Sequence, residues 1–210
     1  MKNSNIVKSV FIALFAAIIC VGCIMAIPLP GGVPISMQNM FCMLAGTILG
    51  SFYGFLSVSV WIVLGAAGIP VFANARGGLA ILQGPTGGYI LGYALGSLVA
   101  GLIAGHPIQG DSKKRLSIWI KISIAAFLGY IMVYIPGIPY FMHVMAAKGK
   151  PQTFVSALKI TFIPFTFGDF LKWIITIPLS VYLRPIAARY MFPPTKEQEK
   201  EALEQLKGIK

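Results

Sequence analysis

Apolar residues in this chain come in runs of helix length, and compact polar clusters separate them. Ile6 to Ile27 is apolar for about 20 residues, enough to cross a hydrocarbon core of roughly 30 Å. Pro28 to Pro34, PLPGGVP, cannot continue a helix and reads as a loop. Ser36 to Gly50 predicts a short second helix with Gln38 and Asn39 near its start. Ser51 to Gly54 reads as a tight turn and Phe55 to Ala67 as a short third helix. Tyr89 to Gly105 forms a fourth span, with Gly92, Gly96 and Gly101 marking close packing. A polar loop, His106 to Arg115, leads to a fifth span, Leu116 to Ile135, which Pro136 and Pro139 are expected to end. KGKPQ at 148–152 is a loop. The last apolar segment, Thr153 to Tyr190, is longer than one span needs. It predicts an interfacial start, a bend near Pro164 and then a crossing. The expected fold is an all-α membrane protein: six transmembrane helices over residues 1–192, then a soluble, charged, helix-prone tail over 193–210.

One stretch breaks the pattern. Phe72 to Tyr93, FANARGGLAILQGPTGGYILGY, lies between apolar runs yet carries Asn74, Arg76, Gln83, Thr86, Pro85 and five glycines at 77, 78, 84, 87 and 88. Polar, glycine-rich backbone at membrane depth has unsatisfied N–H and C=O groups. It is tolerated only where protein buries it or where it lines a cavity. The two short, glycine-punctuated helices before it also suit a pocket made by incomplete spans.

Composition agrees with a polytopic membrane protein: 57% hydrophobic, 11% charged and a mean hydropathy of +0.80. A soluble domain is about a quarter charged. The formal net charge of +11 does not signal nucleic acid, because the basic residues flank the apolar runs. With six spans, Lys2, Lys8, Lys113, Lys114, Arg115, Lys121, Arg184, Arg189, Lys196, Lys200, Lys207 and Lys210 fall on one side. Arg76, Lys148, Lys150 and Lys159 fall on the other. The positive-inside rule then puts both termini in the cytoplasm and turns the 72–93 stretch outward, so the expected ligand pocket faces out. Cys20, Cys23 and Cys42 lie inside apolar runs, with no further ligand to complete a zinc set, and read as small buried hydrophobes. Lys2 and Lys8, an apolar run and Val21–Gly22–Cys23 imitate a lipoprotein leader; the repeated return to the membrane favours an uncleaved first helix.

Of six acidic residues, only Asp169 lies within a span, and Lys172 follows on the same helical face. A charge at mid-bilayer costs roughly 2.5–3.5 kcal/mol on insertion scales. Two such charges, opposite in sign and one turn apart, read either as a self-satisfied pair that pins packing or as the polar floor of a ligand site. Catalysis has no support: His106 and His143 stand apart from any nucleophile motif, and GLAILQGPTGG lacks the Gly-Lys-Ser/Thr ending of a phosphate loop. Metal and cofactor are not expected. Trp61, Trp119 and Trp173 read as interface anchors or packing, with Trp173 a candidate for stacking on a ligand.

The run ANARGGLAILQGPTGGYILGY closely resembles the signature of the BioY family, biotin-binding S components of energy-coupling factor (ECF) transporters. GDFLKW at 168–173, ALFAA at 13–17, MQNM at 37–40 and the GxxGIPVFA pattern at 65–73 also fit, and the resemblance reaches to about Phe192. It implies a six-helix subunit of the plasma membrane that captures biotin near the outer face. Its partners would be a transmembrane coupling protein and two ABC ATPases; transport by a homo-oligomer without them is the alternative. Carried over, Asn74, Asp169 and Lys172 are expected ligand contacts, with Arg76 the nearest cation for the valerate carboxylate. Gly87, Gly88, Tyr89 and Gln38 complete the expected biotin set, and Ala13 and Ala17 the expected partner interface. Another small vitamin, an intramembrane enzyme and a structural scaffold are the competing readings.

Overall fold

The computed structural model describes residues 2–27, 33–108 and 116–193. Most of the PLPGGVP loop, the charged part of the 106–115 loop and the tail from 194 lie outside the described residues.

Helix α1 runs Lys2–Val21, α2 Gln38–Leu49, α3 Ser51–Ala66, α4 Leu79–Leu82, α5 Gly87–Ala104, α6 Leu116–Ala147, α7 Phe154–Thr161 and α8 Ile163–Met191. The expected all-α class holds, apart from two two-residue strands, β1 (Ala26–Ile27) and β2 (Ile35–Ser36), paired antiparallel. Three helices, α5, α6 and α8, are long and apolar enough to cross a membrane. Asn5–Val21 in α1, and α2 and α3, are apolar but shorter. These six pack against one another as one bundle. At one end the Lys8 ammonium lies 5.3 Å from the Phe192 ring centroid, so the start of α1 and the finish of α8 meet there. The other end gathers the 72–86 stretch, the β1–β2 ribbon and α7.

Several boundaries differ from expectation. The first helix stops at Val21 rather than Ile27, because the chain turns there and residues 26–27 pair as a strand. The break between α2 and α3 is Gly50 alone, at φ 87°, a conformation glycine adopts freely; Ser51–Gly54 is already helical. Most importantly, α6 does not end at Ile135 but continues through Pro136 and Pro139 to Ala147. Each proline forfeits one helical hydrogen bond. Neighbouring helices let membrane helices tolerate that loss, and α5 packs tightly here. A Cβ added at Gly137 would stand 2.4 Å from the Tyr89 ring, and one at Gly88 2.5 Å from Tyr140 Cβ. The final segment divides as expected near Pro164, with the break at Phe162 and Pro164 in the first turn of α8.

Arg184 corrects one detail of the charge reading. It is no loop cation: it is 1% exposed, and its guanidinium donates to the carbonyls of Thr47, Ala104, Gly105 and His106. It thereby joins α8 to the C-terminal ends of α2 and α5. Of the two readings of Trp61, packing holds: it is fully buried, with Nε1 donating to the Val71 carbonyl at 2.9 Å and its ring edge-on to Phe72.

Candidate functional site

The site is built where the polar stretch folds back on the bundle. From Phe72 to Arg76 the chain makes a narrow reversal in which each of these two residues donates its N–H to the other's carbonyl. Asn74 and Ala75 at the tip have φ 61° and 52°. Left-handed backbone at a non-glycine residue is uncommon, and asparagine bears it better than most. The Asn74 N–H donates to the Cys23 carbonyl at 3.2 Å, anchoring the reversal to the end of α1. Gly78, at φ 95°, donates to the Gly65 carbonyl and turns the chain into α4, a single turn that leads to Gly84, Pro85 and α5.

Together these segments enclose a cavity of about 250 Å³. Trp61, Phe72, Ile81, Ile90 and Tyr93 supply apolar and aromatic wall; Ser36, Gln38, Asn74 and Thr86 supply polar groups; Arg76 and Lys148 supply cations. A smaller pocket of about 20 Å³ shares Val33, Pro34, Tyr89 and Tyr93 with it, so the two adjoin. Asn39, Tyr134 and Asp169 face this second pocket.

Those three side chains and Lys172 form one hydrogen-bonded set. Lys172 Nζ lies 3.2 Å from Asp169 Oδ1 and 3.0 Å from Asn39 Oδ1. Asn39 Nδ2 donates to Asp169 Oδ1 at 2.8 Å, and the Tyr134 hydroxyl donates to Asp169 Oδ2. Burial of charge is costly unless the charges are paired and hydrogen-bonded, and here the carboxylate has three donors. Oδ2, with one, keeps acceptor capacity toward the pocket. Lys172 is 5% exposed and lines neither cavity; it neutralises Asp169 from behind. The pair is therefore self-satisfied, and its carboxylate faces the smaller pocket.

The other expected site residues divide. Asn74, Arg76, Gln38 and Tyr89 all line the larger cavity. Gln38 is 2% exposed, and its Nε2 already donates to the carbonyls of Val71 at 2.7 Å and Ile19 at 3.2 Å. The buried Tyr89 hydroxyl, beside Thr161, makes no regular hydrogen bond. Gly87 and Gly88 line neither cavity; they open α5 and let it press against α6. Trp173 donates to the Ser123 carbonyl and stacks among Phe127 and Phe170, away from both cavities. Ala13 and Ala17 are exposed on α1 beside Ile6, Val10 and Leu14, while Ala16 packs inward.

Sequence reasoning noticed Asn39 but gave it no role, and passed over Tyr134, Tyr93 and Lys148. Asn39 had a signal. It follows Gln38 by 100° of helix, so one side chain turns to α1 while the next turns to α8. Tyr134 lay unmarked inside the expected fifth span, and Lys148 had no signal while α6 was expected to stop at Ile135.

A sequence model of the BioY family matches residues 1–189. The biotin transporter BioY of Thermotoga maritima is 36% identical over 173 residues, covering 82% of this chain and 93% of that protein. The biotin transporter BioY of Rhodobacter capsulatus is 41% identical over 173 residues, with 79% and 86% covered. The crystal structure of an S-component for biotin from an ECF-type ABC transporter superposes with a TM-score of 0.72 at 29% identity. It spans 88% of this chain and 94% of that one.

Proposed function

The chain belongs to the BioY family, and on that footing we propose that it captures biotin at its loop-rich end and carries it across the membrane as the substrate-binding subunit of an ECF-type importer. It is a transporter subunit rather than an enzyme. The observation that carries the reading is a cavity lined by Arg76 and Lys148 that adjoins, through Tyr89 and Tyr93, a smaller pocket faced by Asp169. Biotin is polar at both ends and apolar between. Its ureido ring offers two N–H donors and a carbonyl, its thiophane and methylenes are greasy, and its valerate ends in a carboxylate. The ureido N–H groups suit the free acceptor capacity of Asp169, with Tyr134 and Asn39 fixing that carboxylate. The Trp61, Phe72 and Tyr93 wall suits the apolar middle, and Arg76 suits the carboxylate. Asn74, at the tip of the reversal, adds an amide contact.

The three long apolar helices and the three shorter ones packed with them support six spans, and the meeting of Lys8 with Phe192 supports both termini on one side; the basic bias makes that side the cytoplasm. Energy would come from separate ATPases through a transmembrane coupling subunit, docked on the exposed Ala13–Ala17 face. Titration of the purified protein in detergent with biotin, riboflavin and thiamine tests the reading. Saturable binding of biotin alone is expected; equal binding of riboflavin or thiamine, or none of biotin, overturns it.

A further inference from the structure

Arg76 and Lys148 reach the same cavity from unrelated parts of the chain. Arg76 stands at the foot of the Phe72–Arg76 reversal. Lys148 follows α6, and Gly149 at φ 72° ends that helix in a turn where Gly149 and Lys150 N–H groups donate to the carbonyls of Ala146 and Met145. Lys148 is thus set at the rim by the continuation of α6 through its two prolines. Both cations are exposed. Among the described residues the single acidic side chain is Asp169, whose ion-pair partner is Lys172 and which faces the smaller, adjoining pocket rather than this cavity. Neither rim cation therefore has an acidic neighbour among the described residues, and both look onto a cavity large enough for a small molecule. Two cations without acidic neighbours among the described residues, in a cavity otherwise lined by apolar, aromatic and neutral polar groups, make a receptor for an anionic group.

We propose that Lys148 closes a two-cation clamp with Arg76, and that the clamp makes this site select a free carboxylate over the same molecule as an ester or amide. The inference rests on the functional reading above and extends it to a residue outside the motif-bearing stretch and to a substrate class: the free acid, to the exclusion of amide-linked biotin. Deep in the site the acid and its ester are chemically identical, so discrimination between them reports on the rim alone. Specificity is a difference of two affinities, which cancels any general loss of folding.

The test measures binding of biotin and biotin methyl ester to the wild type, Lys148→Gln, Lys148→Arg and Arg76→Gln, in detergent at low and high salt. The wild type is expected to favour the acid by at least tenfold. Lys148→Gln should reduce that preference by about fivefold, the scale of an exposed ion pair. It should leave ester affinity within about twofold, a change worth under half a kilocalorie. Lys148→Arg should restore the preference, and high salt should shrink it. An unchanged acid-to-ester ratio in Lys148→Gln overturns the clamp while leaving biotin binding intact. So does a Lys148 effect that appears only when anionic phospholipid is added and is equal for acid and ester, because the cations would then serve a lipid headgroup. Failure of the wild type to bind biotin at all overturns the functional reading, and the clamp with it.

Discussion

Asn39 Nδ2 donates to Asp169 Oδ1 at 2.8 Å across 130 residues of sequence, while Asn39 Oδ1 accepts from Lys172. The asparagine is bonded to both members of an ion pair already in contact. It is the part of the floor that the helix spacing of Asp169 and Lys172 could not reveal, and it joins α2 to α8 beneath the cavity.

Asp169→Asn tests that floor. The substitution keeps size but removes the charge that balances Lys172, and one amide group cannot accept from Asn39, Tyr134 and ligand together. Leaving a buried charge without its partner costs about 3–5 kcal/mol. Biotin affinity should fall by about a hundredfold or more, and the melting temperature in detergent should drop. Retention of wild-type affinity would exclude Asp169 from the site.

Asn39→Ala follows from the same geometry. It removes one donor to Asp169 and one acceptor from Lys172 without touching the charges. Buried groups left without partners cost about 1–3 kcal/mol. Affinity should fall about tenfold, with a smaller loss of stability than Asp169→Asn causes. An affinity equal to the wild type would show that Asn39 does not shape the carboxylate.

Much of this architecture was legible from residue pattern. Apolar runs located the six apolar helices of the bundle, and a polar interval where greasy residues were due marked the end that holds the cavity. The motif QGPTGGY was recognised, but the work of its glycines was not. Steric space between two helices is a tertiary property, and Gly87 and Gly88 meet Tyr140 and Pro136 of α6, 48 to 53 residues downstream. The same gap explains α6 itself. Local rules end a helix at Pro136, whereas packing against Tyr89 and Gly88 carries it to Ala147 and so brings Lys148 to the cavity.

Gly88→Ala separates packing from ligand contact. The added methyl would lie 2.5 Å from Tyr140 Cβ and 2.7 Å from the Pro136 carbonyl, too near for either to yield cheaply. Overpacking of this kind costs about 1–3 kcal/mol. The melting temperature should fall, and bound biotin should recover part of the loss. Weakened binding at an unchanged melting temperature would instead mean that the glycine touches the ligand.

Arg184→Leu probes the end away from the cavity. The guanidinium serves Thr47 on α2 and the last carbonyls of α5, groups that have no helical partner of their own. Removing it strands several buried acceptors and deletes a cation that complements the helix dipole. Thermal stability in detergent should fall substantially, and Arg184→Lys should rescue little, because a point ammonium cannot reproduce a fork of donors. The biotin affinity of the folded fraction should stay within about threefold of wild type, a change under a kilocalorie.

Ala13→Trp separates capture from transport. Ala13 and Ala17 lie one turn apart on α1, exposed, while Ala16 and Ile19 on its other side are buried in the chain's own core. Small residues on an uncovered helix face allow another helix to approach closely in lipid. A tryptophan there projects from an exposed position, and Ala13 lines neither pocket. Stability and biotin binding should therefore match the wild type, while co-purification with a coupling subunit and ATP-dependent uptake should be lost. If the variant still assembled with the ATPase module, the partner face would have to lie elsewhere. If binding itself failed, α1 would be part of the ligand site, because the mutated face meets nothing else within the described chain.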